Sequence, residues 1–130
     1  MKSFFKKLVL SIVALYLVYM LIPFGWHLIY SEETLNALSW NGHGGLISLY
    51  GPTPYFFAAF FFFSLFGLYK FKKWGRSCFM AYSILSGILL PIWGLAIIGG
   101  ADGVVSYFVT LISGFVLSLA YFSSLNEEFS

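Results

Sequence analysis

Few side chains in this sequence have the chemistry of an active site, and their spacing argues against most uses. His27, Glu32, Glu33 and His43 carry the donor types a divalent metal wants. A metal site needs three or four ligands in one geometry, and no HxxxH, ExxH or paired-cysteine spacing supplies it. The two histidines therefore read as an interfacial and a loop residue with no shared task, and no metal is expected. Cys78, the single cysteine, follows Arg76 by two positions, where thiolate chemistry or lipidation is conceivable. Alone it closes no intrachain disulfide, and it reads as a small packing residue. Serines are frequent, but there is no GxSxG elbow and no serine–lysine or serine–histidine pairing. Asp102 is the one aspartate, so a paired-aspartate intramembrane protease is excluded. Neither a catalytic residue nor a cofactor is expected, and the chain reads as a non-enzyme.

The elements that would position these residues follow from composition. Of 130 residues, 60% are hydrophobic, 22% aromatic and only 9% charged, with a mean hydropathy of +0.88. Soluble domains are nearer a quarter charged, and disordered chains are poor in aromatics. The expectation is an all-α integral membrane protein, one polytopic domain over residues 1–130. About 20 apolar residues cross the hydrocarbon core as a helix, so four crossings fit and no soluble domain does. Continuous apolar runs rule against the alternating pattern of a membrane β-barrel.

The four spans are expected at residues 8–30, 54–69, 77–98 and 104–122. Pro23 should kink or loosen the end of the first. The far end of that run, Pro23-Phe24-Gly25-Trp26-His27, offers no small-x-small cleavage site, so a retained helix is expected in place of a signal peptide. Residues 31–40 read as a short interfacial helix, with Ser31 as cap, Glu32 and Glu33 in its first turn, and Trp40 at its end. Gly51-Pro52-Thr53-Pro54 interrupts the next apolar block, making Leu46–Gly51 a bent or re-entrant lead-in. Gly99-Gly100-Ala101-Asp102-Gly103 reads as a tight turn in which Asp102 caps the last helix. The end of the chain, Asn126 to Ser130, reads as a small polar tail.

Charge sets orientation. Lys2, Lys6 and Lys7 precede the first span, and Lys70, Lys72, Lys73 and Arg76 join the second to the third. All seven bases fall on one side, which the positive-inside rule makes the cytoplasm, with both termini there. The net charge of +2 then reflects topology and lipid headgroups, with no nucleic acid as partner. No charged side chain falls inside an expected span. Proton-coupled drug exporters resemble this chain in helix count but depend on a membrane-embedded glutamate, and no residue here matches it.

Two kinds of surface remain. Ser106, Thr110, Gly114 and Ser118 repeat every four residues in the last span, and Ser83 and Gly87 do so in the third. Such small-residue stripes let backbones approach in lipid. Packing of the third span on the fourth is the expected use, a dimer face the alternative. The first two spans instead carry Tyr16, Tyr19, Phe56, Phe60 and Phe63, which with Trp40 form a candidate surface for another membrane protein or for lipid.

Four helices, short loops, no embedded charge and this aromatic surface resemble, at the level of architecture over the whole chain, the immunity proteins that protect bacteria from membrane-targeting toxins. The closing Leu119-Ala120-Tyr121-Phe122-Ser123-Ser124-Leu125 is similar to the ends of many small bacterial membrane proteins. The resemblance implies a protein of the bacterial inner membrane that captures toxin helices laterally before a pore opens, through the aromatics above and the 32–45 loop. A small oligomeric channel or transporter is the alternative, since Pro52, Pro54 and Pro91 can expose backbone groups to a solute. Fluoride channels are similar in length and phenylalanine content, but their glycine- and arginine-bearing signatures are absent. An accessory subunit of a larger membrane complex would use the same surfaces.

Overall fold

The computed structural model describes residues 1–47 and 51–130, and helix is the only regular secondary structure among them. Helix α1 runs Lys2–Leu21, starting six residues before the apolar run because Phe5, Val9 and Ile12 form one buried stripe. Pro23 has no N–H to donate, and the chain tightens there into a 3₁₀ turn, Ile22–Gly25, before α2, Trp26–Ile29. These pieces continue one another over 28 residues. Helix α3, Glu32–Leu38, is capped as expected: the Thr34 N–H donates to Ser31 Oγ at 3.4 Å, and two glutamates occupy its first turn. The bent lead-in expected over Leu46–Gly51 includes residues 48–50, which lie outside the described residues.

Helix α4 runs Thr53–Tyr69, close to expectation. Helix α5 spans Lys73–Leu89 and tightens into a 3₁₀ turn, Leu90–Trp93. The expected third span, 77–98, is therefore shifted toward the bases. Pro91 ends the α-helix, and apolar residues 94–99 leave it without regular structure. Helix α6 occupies Gly100–Phe122 and begins four residues before its expected start. Gly99 is its N-cap, so Asp102 is the third residue of the helix and not the cap. The stretches Lys2–Ile29, Lys73–Trp93 and Gly100–Phe122 are long and apolar enough to cross a membrane, whereas α4 is apolar but shorter. Its 17 residues rise about 25 Å, against a hydrocarbon core of about 30 Å.

Neighbour relations depart from the sequence reading. Helix α4 lies along α5 and α1 lies along α6, with α1 meeting α4, while α5 and α6 touch only briefly. The expected antiparallel packing of third span on fourth through their small residues is corrected by this arrangement. Ending α5 early leaves ten residues between it and α6, enough chain to separate them. Close backbone approach occurs instead at Gly67 and Gly75, where a Cβ on Gly75 would stand 2.4 Å from Gly67 Cα. One core joins α1, α4, α5 and α6 through Ile12, Leu65, Phe79 and Val116, all almost fully buried.

Each end of the bundle carries packed or paired chain. At the basic end the chain terminus folds back, so the expected polar tail is corrected: Leu125 and Phe129 are buried. The Phe129 ring packs on Phe5 and Phe71, Ser130 N–H donates to Phe71 O at 3.0 Å, and Lys73 N–H donates to Ser130 O at 3.1 Å. The Arg76 guanidinium lies over Tyr121 and Phe129 and donates to Ala120 O and Asn126 Oδ1. At the opposite end the loop after α3 pairs with the segment after α5. Gly42 N–H donates to Leu95 O at 2.6 Å, Leu95 N–H to His43 O at 3.0 Å, and Leu46 N–H to Ile92 O at 2.8 Å. Asn41 Oδ1 accepts from Ile97 N–H at 2.9 Å. Gly94 sits at φ 87°, and a Cβ there would stand 2.5 Å from His43 O, so the junction demands glycine.

Candidate functional site

Because α5 and α6 diverge above the core, a chamber of about 590 Å³ remains in the half of the bundle away from the bases. That volume lies within the usual range of small-molecule sites. Helix α1 contributes Tyr16 and Tyr19, and α4 contributes Pro54, Phe57 and Phe61. Tyr82, Ser83 and Ser86 come from α5, with Leu90 and Trp93 from its closing turn. Ser106, Val109, Thr110, Ser113, Gly114 and Leu117 come from α6. Among the described residues the lining combines aromatic faces with eight hydroxyl groups and contains no charged side chain.

The rings of the aromatic wall pack on one another. Tyr16 packs on Phe61 at 4.5 Å between centroids and on Phe62 at 5.3 Å. Tyr82 lies 5.0 Å from Phe61 and 5.8 Å from Phe60, while Phe57 meets Trp93 edge-on at 5.1 Å. On the polar wall, several hydroxyl protons are already used within their helices. Ser83 Oγ donates to Phe79 O at 2.9 Å, Ser86 Oγ to Ser83 O at 3.1 Å, and Thr110 Oγ1 to Ser106 O at 2.9 Å. Such back-bonding satisfies the donor and leaves oxygen lone pairs able to accept.

A second polar cluster ties the first apolar stretch to the last. Asp102 is 4% exposed. Its carboxylate accepts from Trp26 Nε1 at 3.0 and 3.3 Å and from the Tyr30 hydroxyl at 2.7 Å. The same hydroxyl accepts from the Ala101 and Asp102 N–H groups at 2.9 and 3.3 Å, satisfying the open start of α6. Gly99 makes room for it, since a Cβ there would lie 2.4 Å from Tyr30 Oη. A carboxylate in the first turn of α6 is also favoured by the helix dipole. This is a clasp in which each buried polar group has a partner, and it closes the bundle beside the chamber.

The structure separates the residues singled out from sequence. Tyr16 and Tyr19 face the chamber, and Phe60 supports Tyr82. Phe56 is 70% exposed, Phe63 stacks outside on Trp74, and Trp40 packs edge-on to His43 in the loop. The six do not form one surface. Of the small residues, Ser83, Ser106, Thr110 and Gly114 line the chamber. Gly87 and Gly114 would meet nothing within 4 Å if given a Cβ, and Ser118 is exposed on α6. Among the described residues no three His, Cys, Asp or Glu side chains gather as metal ligands.

Sequence reasoning missed Tyr82, Ser86, Trp93 and Ser113 in the chamber, and the Trp26–Tyr30–Asp102 clasp. A signal existed for the clasp: Trp26 and Tyr30 stand four apart and present polar tips on one helical face. Their shared partner lies more than seventy residues away, beyond the reach of local pattern. No family model, no curated protein and no solved structure matches this chain.

Proposed function

We propose that this is a multi-pass, non-enzymatic protein of the bacterial inner membrane, with both termini in the cytoplasm, that holds an uncharged solute in its chamber. Such a protein belongs with the transporter and channel class. The observation that carries it is the chamber: about 590 Å³ and, among the described residues, eight hydroxyls from three helices and no charged lining residue. Neutral hydroxyls in an apolar surround reward hydrogen-bonding solutes, and a lone ion would lose its hydration without a counter-charge. Collection of all seven bases near one end of the bundle supports the orientation.

Purified protein in nanodiscs should show a raised unfolding midpoint with at least one compound from a neutral-solute panel. A chamber-filling Ser113→Phe variant should lose that shift. If no neutral compound stabilises the protein and proteoliposomes pass none, the chamber reading fails. Orientation is tested in a Cys78→Ser background: a membrane-impermeant maleimide should label cysteine placed at Asn36 in intact spheroplasts, and spare one placed at Lys7.

Lateral capture of a membrane-inserted toxin is a second reading, favoured by Trp40 and Phe56, which are 55% and 70% exposed. On that reading an in-cell crosslink returns a stoichiometric toxin or complex subunit, and Trp40→Ala abolishes capture. Recovery of this chain alone, or with copies of itself, counts against it.

A further inference from the structure

We infer that the chamber takes a neutral amphiphile that enters from the bilayer between α5 and α6, an apolar chain bearing a hydroxylated, donor-rich head. This rests on the chamber being a binding site, and adds the ligand's chemistry and its route.

The route follows from what is closed. Phe79, Val116 and Leu65 fill the bundle toward the bases, and the paired loops around Gly45 and Gly94 pack together at the opposite end beside Trp93. Among the described residues α5 and α6 are sparsely joined: Gly87 and Gly114 are exposed, and each would accept a Cβ without meeting any atom within 4 Å. On the outer faces of the same two helices Ile84, Ile88 and Leu111 are exposed and apolar. A molecule approaching there comes from hydrocarbon and not from water.

The head group follows from the hydrogen bonds. Ser83, Ser86 and Thr110 spend their protons on backbone carbonyls, so toward the chamber they offer lone pairs. A ligand with hydroxyl donors pairs with these oxygens, whereas an ester without a donor leaves them unpaired. Among the described residues no carboxylate lines the chamber to balance a cationic head, and no base balances an anionic one. The faces of Tyr16, Phe61 and Trp93 supply apolar contact for the first carbons of the chain.

Native mass spectrometry of the full chain released from mild detergent tests this with three probes of one chain length: 1-oleoylglycerol, methyl oleate and oleylammonium. The expected result is one 1-oleoylglycerol per chain, bound about tenfold more tightly than methyl oleate, since two hydrogen bonds of ordinary net strength account for that ratio. Ser83→Ala combined with Ser86→Ala should shrink the preference by about threefold or more without abolishing binding. Gly87→Leu with Gly114→Leu, which fills the gap from the lipid side, should abolish it, with unchanged circular dichroism showing that the variant is folded. Methyl oleate or oleylammonium binding as tightly as 1-oleoylglycerol would overturn the assigned head group while leaving the chamber a binding site. Stabilisation by xylitol with no lipid adduct would overturn lateral entry and again spare the chamber. A chain dimer crosslinked through cysteines at Gly87 and Gly114, with no adduct, would show a second copy filling the gap and overturn the proposal. Failure of all three probes together with the neutral-solute panel would overturn both readings.

Discussion

Alanine at four glycines should reveal which helices are neighbours, because the structure assigns opposite signs to substitutions that sequence treats alike. A Cβ on Gly75 would lie 2.3 Å from Gly67 C and 2.6 Å from Leu68 N; one on Gly67 would lie 2.5 Å from Gly75 Cα. These are backbone atoms, which no rotamer change can move. Restoring ordinary contact requires α4 and α5 to separate by roughly 1 Å, loosening the Phe63–Trp74 stack at 4.6 Å as well. Overpacking of this kind costs about 1–3 kcal/mol or more, against a helix-propensity gain of up to about 1 kcal/mol for replacing glycine by alanine. The expected net loss for Gly75→Ala is about 2 kcal/mol. Gly87 and Gly114 have open space around the same methyl, so there only the propensity gain remains, about 0.5–1 kcal/mol of stabilisation. Thermal or SDS-driven unfolding in micelles, followed by circular dichroism, reads both signs. Gly75→Ala as stable as the parent, with Gly114→Ala losing more than about 1 kcal/mol, would refute the reasoning. That pattern belongs to a bundle in which the third and fourth apolar segments pack through their small residues.

Other substitutions probe the two closures. Tyr30→Phe removes the donor at 2.7 Å from Asp102 and the acceptor for Ala101 N–H, and should cost about 1–3 kcal/mol, measured by the same unfolding assay. Phe129→Ala empties a site that is 3% exposed and should cost about 3–5 kcal/mol, with limited proteolysis then reaching the end of the chain. By contrast, Lys2 and Glu128 meet at 2.6 Å with both side chains well exposed. Lys2→Ala should change stability by less than about 1 kcal/mol, and less still at high salt.

Much of the architecture was legible in the sequence because local chemistry decides it. Apolar runs impose helices, Pro23 and Pro91 interrupt them, and Ser31 with two glutamates starts a short one, all within a few residues of chain. The seven bases gather at one end because they flank two consecutive segments. Even so, apolar character misled at residues 94–98, where hydrophobicity argued for continued helix. There Pro91 and the positive φ of Gly94 ended it, and backbone pairing with the Asn41–Leu46 loop satisfied the freed groups.

Which helix lies beside which was decided only by tertiary structure. Helix α4 is apolar on every side, so its sequence carries no preferred face. Its partner is set by the mutual fit of Gly67 and Gly75 backbones and by ring packing onto Tyr16 and Tyr82. The chamber has the same origin: serines and a threonine spaced for close packing become a polar wall once the helix opposite them stands away. Likewise Asp102 looks like a surface turn residue until Trp26 and Tyr30 arrive to bury it. Local spacing fixes what each segment becomes, whereas contacts between residues dozens of positions apart decide what the segments enclose.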